Sequence, residues 1–247
     1  MTDPALLTGV RLLSLDAGNT VIFLDHARLA RIATDGGFAV EGDALVRSEG
    51  RAKRRADPGA ARGLLEVAWA SSGQPGARTW GMMIATILEE AGAPPEILGS
   101  IVEAVWRQHC VRNLWSIVAD GLEEALDAFR ACGGKVAVVS NSEGMLERLF
   151  GELGLAPHVD LLVDSAVVGF EKPDPRIFQV AMERLGVGAS EALHLGDMFA
   201  TDILGARACG MRAALVDPYA HWEGAHAGVP RVEGATEVAW ALARGSV

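Results

Sequence analysis

The chain has 247 residues, is 50% hydrophobic and 22% charged, and carries a formal net charge of −10. That composition supports a sizeable buried core in one large domain, or in a core with an inserted one. The acidic balance argues against nonspecific binding to nucleic acid or anionic membrane, and no apolar run approaches the roughly 18 residues that a membrane helix needs. In chain order, the N-terminus has no basic start followed by a long apolar stretch, so no signal peptide is expected. Residues 11–16 then read as a short buried strand ending at Asp16, and Gly18 and Asn19 break it. From 24 to 115 strand-like runs are lacking. Helical spacings replace them, such as Ile84, Ile87, Leu88 and Ala91, then Ile97, Ile101, Val102 and Val105. Proline and glycine punctuate this region at 57–59, 73–76 and 92–95. Beyond it, helices and strands alternate. Helices are predicted over 121–132, 143–153, 175–185, 202–209 and 236–244, and strands over 135–140, 159–164, 192–195 and 212–216. Alternation of this kind implies an α/β fold, with a parallel sheet covered on both faces. The helical region 24–115 is expected as an insert, leaving 1–23 and 116–247 as the α/β core. Cys110, Cys132 and Cys209 show no metal-binding spacing, so reduced, partly buried thiols in a cytosol are expected.

Four short runs carry the chemistry, and each follows or ends a strand-like stretch. They are LSLDAGNT around Asp16, VAVVSN ending in Ser140 and Asn141, EKPDPRIF around Lys172, and HLGDMFATD around Asp197 and Asp202. In an open parallel sheet, ligands bind beyond the strand carboxyl ends, near the point where strand order reverses. If those strands are neighbours, Asp16, Ser140 and Asp197 converge on one pocket. Asp16 is then placed to attack phosphorus. Ser140 would hold phosphoryl oxygens, and Lys172 would neutralise both the nucleophile and the transferring group. Asp197 and Asp202 would supply carboxylate ligands for Mg²⁺, a hard cation. Taken singly, a strand-terminal Asp is more often a cap, and Lys172 a loop lysine. The four runs in this order make coincidence a poor explanation.

With these motifs the chain resembles the haloacid dehalogenase (HAD) superfamily of aspartate-nucleophile hydrolases, with a helical cap inserted after the first motif. The resemblance is specific in residues 16–20 and 121–217 and rests on position and helical character in the cap. It implies a Rossmann-like core with sheet order 5-4-1-2-3, numbering core strands along the chain. It also implies Asp16 as nucleophile, Ser140 and Lys172 as catalytic phosphoryl binders, and Asn141 beside them at the substrate. Asp16, the Gly18 carbonyl, Asp197 and Asp202 are implied around Mg²⁺. The expected reaction is hydrolysis of a small phosphate monoester by a cytoplasmic monomer or homodimer.

Position 18 departs from the family's phosphatases, which carry there a second aspartate that protonates the leaving oxygen. Gly18 keeps a carbonyl for a metal but has no side chain to move a proton, a role worth typically about 10²–10⁴-fold. Asn19 follows, where the family usually has glycine, and asparagine tolerates positive φ next best. Asp25 or His26 could supply the missing acid, though both read first as start-of-helix residues. The alternatives are a dehalogenase-like hydrolase, a phosphonatase-like hydrolase using the cap lysine Lys53, and a non-catalytic phosphate-binding protein. Lys53 sits in the basic run RAKRR with Arg51, Arg54 and Arg55, which reads first as a solvated helix face. Trp69, Trp80, Trp106 and Trp115 read as packing residues.

Overall fold

The computed structural model describes residues 4–57, 63–74 and 76–245. The predicted breaks at 58–59 and 75, and the first three residues of the N-terminus, lie outside the described residues. The chain divides into two compact units, the first comprising Met1–Phe23, Ile117–Pro218 and Gly224–Val247, the second Leu24–Ser116 and Tyr219–Glu223.

Among the described residues, eight strands run in chain order: β1 Leu12–Leu15, β2 Ile22–Leu24, β3 Trp115–Val118, β4 Lys135–Ser140, β5 Leu161–Asp164, β6 Ala192–Gly196, β7 Arg212–Val216 and β8 Arg231–Val232. The main sheet has the order β5-β4-β1-β6-β7-β8 and is parallel throughout. Numbering only the five strands expected from sequence and reading from the β7 side, this is 5-4-1-2-3, but the sheet has a sixth strand that was not expected. The two-residue β8 extends it at the edge beyond β7, too short to leave a readable pattern. β2 and β3 form a separate two-stranded sheet, where the chain leaves the first unit and returns.

Every residue of β1 is buried, as are Val136–Ser140 in β4 and all of β6. Strands buried on both faces need continuous apolar sequence, which is why these three read clearly. Helix Pro175–Leu185 matches its predicted bounds because its punctuation is explicit. Asp174 caps the first turn by accepting from Arg176 N, Pro175 occupies the first helical position, and Gly186 ends the helix at φ 65°. The helix predicted over 202–209 differs. Phe199–Ile203 forms a wider π-turn that leads into a short α-helix, Leu204–Ala208. The cause is local: Asp202 folds back so that its side chain accepts from Met198 N at 2.9 Å.

The second unit is built on helices His26–Asp35, Gly42–Ala56, Ala77–Glu90 and Pro95–Val111. Leu29, Leu45, Ile84, Leu88, Ile101 and Val105 form its buried interior. Trp69, Trp80, Trp106 and Trp115 gather around His109, with Trp80 and Trp106 ring centroids 4.9 Å apart. They pack as expected. Segment Tyr219–Glu223 groups with this unit, although its sequence position assigns it to the core. His221 explains the difference: its Nε2 donates to the Val46 carbonyl at 3.0 Å, and its own carbonyl accepts from Arg54 Nε at 2.6 Å.

Candidate active site

The first unit brings Asp16, Lys172, Asp197 and Asp202 together. β1 lies between β4 and β6, and the Asp16 amide continues the ladder by donating to the Leu195 carbonyl at 2.8 Å. Asp16 and Asp197 therefore leave adjacent strands at the same edge of the sheet, and Ser140 ends the strand on the other side. All are buried. Asp16, Asp197 and Asp202 can each present a carboxylate oxygen within 4.8 Å of the others. The Lys172 ammonium sits among them. It donates to Asp16 Oδ1 and, at 2.6 Å, to Asp202 Oδ1.

One ammonium cannot balance three buried carboxylates, and the proton affinities record the competition. Burial pushes Asp16 well above the usual carboxylate range, and the neighbouring Asp202 and Asp197 add to the rise against the pull of Lys172. Burial would raise Asp202 too, but Lys172 and His194 overcome it and hold Asp202 below the ordinary range. Burial lowers Lys172, yet the two carboxylates more than reverse this and keep it charged. Lys172 donates to both Asp16 and Asp202, and Asp202 accepts a further bond from Met198 N. The set offers only oxygen ligands and carries excess negative charge, which fits a hard divalent cation such as Mg²⁺.

Loop contacts hold these groups in place. Asn141, expected beside the substrate, spends its amide on the backbone of Lys172. Its Nδ2 donates to the Lys172 carbonyl at 2.9 Å, and its Oδ1 accepts from Lys172 N at 2.7 Å. Asp164, the β5 residue paired with Ser140, accepts from the amides of Gly144, Leu146 and Ala166, fixing the loop after Ser140. Gly196 is required by close approach, since a Cβ there would collide with the Asp202 carboxylate. The turn after Asp16 survives at position 18: Asn19 takes φ 55°, and Val21 and Ile22 amides donate to the Ala17 carbonyl at 3.1 and 3.0 Å.

The second unit employs its candidates elsewhere. Asp25 caps its helix by accepting from Arg28 N at 2.8 Å. His26 Nε2 bonds Glu49 Oε2 at 2.8 Å, with both side chains buried. Lys53 is not on a solvated face. It is buried, 3.6 Å from Glu49 Oε1 and 3.5 Å from His221 Nδ1. Arg51 and Arg55 pair with Glu90, Arg55 also with Glu89, and Arg54 holds the His221 carbonyl. The basic run is thus engaged within the unit. Cys110 and Cys132 are exposed, not partly buried, and none of the three cysteines is in a disulfide among the described residues. No helix among the described residues is long and apolar enough to cross a membrane.

Sequence reasoning passed over His194, Ser14, Glu49 and Asp164. Ser14 and His194 are polar residues inside buried strands, at adjacent register positions in β1 and β6. A polar residue amid an apolar run was the available signal.

The family model for haloacid dehalogenase-like hydrolases matches residues 17–210. The human haloacid dehalogenase-like hydrolase domain-containing protein 3 is 32% identical over 216 residues, covering 84% of this chain and 82% of its own. A phosphoserine phosphatase from Thermus thermophilus is 36% identical over 163 residues, covering 62% of this chain and 64% of its own. Among solved structures, a magnesium-bound HAD-hydrolase from Bacillus subtilis superposes with a TM-score of 0.65 at 18% identity, over 94% of this chain and 98% of its own. A dehalogenase superposes with a TM-score of 0.61 at 18% identity, over 96% and 98%. These two structures share the fold.

Proposed function

Because the chain belongs to the haloacid dehalogenase-like hydrolase family, we propose that its acidic centre hydrolyses small phosphate monoesters with Asp16 as the nucleophile. The observation that carries this reading is the charge imbalance, three buried carboxylates around one buried ammonium. Relatives named as phosphatases, a phosphoserine phosphatase and a ribulose-1,5-bisphosphate 5-phosphatase, lend it support.

Asp16 attacks phosphorus, the ester oxygen leaves, and water then hydrolyses the aspartyl phosphate. Lys172 shields the approach of carboxylate to phosphoryl anion, and Ser140 donates its hydroxyl to a phosphoryl oxygen. Asn141 keeps Lys172 in position by holding its backbone on both sides. Asp16, the Gly18 carbonyl and Asp197, with Asp202 in support, would hold Mg²⁺, which supplies positive charge against the phosphoryl oxygens. The carboxylate excess favours this reading over a dehalogenase-like one, whose family members work without the metal.

Gly18 provides no acid for the leaving oxygen. Asp25 caps a helix and His26 is tied to Glu49, so neither reads as a poised proton donor. Substrates whose leaving group departs without a proton are therefore preferred. Lys53 lies 3.6 Å from Glu49 Oε1, and this ion pair engages the amine that Schiff-base chemistry would need. The test is a panel of aryl and alkyl phosphates assayed with Mg²⁺. Turnover by wild type and none by Asp16→Asn supports the proposal, and equal turnover by a folded Asp16→Asn protein overturns it.

A further inference from the structure

Behind the carboxylates, inside the sheet, lies a histidine that the reaction above does not use. His194 is fully buried in β6. Its Nδ1 is 2.9 Å from Ser14 Oγ on β1, and its Nε2 is 3.5 Å from Asp202 Oδ1. Phe178 lies edge-on against the ring at 4.9 Å. Among the described residues Nε2 forms no hydrogen bond of ordinary geometry, and its 3.5 Å approach to Asp202 Oδ1 is a long, weak contact that already helps to hold that carboxylate charged. Buried polar atoms in native structures are seldom left this way without a reason.

We propose that His194 is a positioning residue, a reserve N–H donor that closes onto Asp202 when Lys172 turns toward the phosphoryl group. The proposal rests on the phosphatase reading for what occupies Lys172. It rests on geometry for the rest. In the structure, Lys172 Nζ is shared between Asp16 and Asp202 Oδ1. A phosphoryl anion in the site claims part of that ammonium, and Asp202 Oδ1 is left short of a donor in a dry environment, which is costly. His194 Nε2, 3.5 Å from Asp202 Oδ1, carries an N–H that can replace it.

The tautomer follows from electrostatics. Were Nδ1 to carry the proton and donate to Ser14 Oγ, Nε2 would point a lone pair at the Asp202 carboxylate. With the Ser14 hydroxyl donating to Nδ1, Nε2 carries the proton and faces the anion with its positive end. Ser14 thus sets the tautomer, and His194 holds Asp202. Asp202 is also held from its other side by Met198 N at 2.9 Å, so one further donor is enough to keep its carboxylate in place.

Two measurements test this together. The ring nitrogens of His194 are read by ¹⁵N NMR on the unliganded wild-type protein. A protonated Nε2 with an acceptor Nδ1 is expected, and a protonated Nδ1 overturns the proposal without reference to any substrate. His194→Gln and His194→Asn are then compared on an aryl phosphate, with melting temperatures taken in parallel. Gln can place its amide N–H where Nε2 stood, whereas Asn reaches only as far as Nδ1. His194→Asn should lose roughly tenfold or more in kcat, the worth of one hydrogen bond to a charged group, with KM little changed. His194→Gln should recover most of that loss, even where both variants melt at the same lowered temperature. Equal kcat in the two variants means a packing role only and overturns the proposal. A wild-type protein inert on every phosphate monoester would instead remove the phosphatase reading, while the tautomer still decides whether His194 faces Asp202 with a proton.

Discussion

Each unit of this protein buries a cluster of charged side chains, and the two clusters are balanced in opposite ways. In the α/β unit, three carboxylates surround one ammonium, and Asp16 is left with its proton affinity raised. In the helical unit, one carboxylate, Glu49, is surrounded by Lys53, His26 and His221. Burial alone would raise Glu49, but Lys53 and then His26 outweigh it and pull its pKa down to about 2. A buried carboxylate so compensated is part of the architecture. One left without enough positive charge costs stability and is retained where chemistry needs it.

The largest expected effect follows from the unbalanced side. Asp16→Asn should lower hydrolysis by at least about 10³-fold, since it removes the proposed nucleophile and keeps its shape. The same substitution should raise the melting temperature at neutral pH. The sign follows from linkage. The folded-state pKa of Asp16 lies above its unfolded value, so wild type loses stability as pH rises through that folded value, and the uncharged Asn does not. Loss of stability together with loss of activity would contradict the charge-imbalance account.

The balanced side should respond the other way. Lys53→Met leaves Glu49 buried without its principal partner and should cost about 3–5 kcal/mol by denaturant unfolding. Glu49→Gln carries the pH signature. The folded pKa of Glu49 lies below its ordinary value of 4.5, so its contribution is present above that value and lost as pH falls toward about 2. The stability gap between wild type and Glu49→Gln should close across that window. A gap independent of pH would show that Glu49 acts by shape alone.

A smaller effect sharpens the comparison at its most irregular position. Gly18→Asp adds the absent acid and should raise turnover of alkyl phosphates by about 10-fold, below the full general-acid effect. Aryl phosphates, whose leaving group needs less help, should change little. Equal wild-type rates on both classes, unmoved by the substitution, would show that another group already transfers the proton.

The two clusters also differ in how far they could be read from sequence. Asp16, Ser140 and Asp197 follow apolar runs that only a fully buried parallel strand explains, so their place at the sheet edge could be inferred before the structure. The ordering of β1, β4 and β6 brings them together, and Lys172 arrives with the well-punctuated helix Pro175–Leu185. The Glu49 cluster gave no such warning. His26, Glu49 and Lys53 lie on two helices, and His221 comes from a loop 168 positions beyond Lys53, so no spacing along the chain reveals that they meet. RAKRR therefore reads as a solvated basic face, when Lys53 points inward and its arginines are engaged. The short strands β2, β3 and β8 leave little pattern in the sequence: β2 and β8 span three and two residues, and β3 is only partly buried, so it lacks the continuous apolar run that marks β1.

The central claim is that the carboxylate excess around Asp16 exists to receive a divalent cation that serves hydrolysis. Calorimetric titration of Mg²⁺ into wild type and Asp197→Ala, with hydrolysis measured in matched solutions with and without chelator, tests it most directly. The account predicts saturable binding to wild type, weakened at least about tenfold in Asp197→Ala, with turnover falling in step. Full hydrolysis in chelator, with no Mg²⁺ binding by the wild-type protein, would contradict it and return the dehalogenase-like reading to first place.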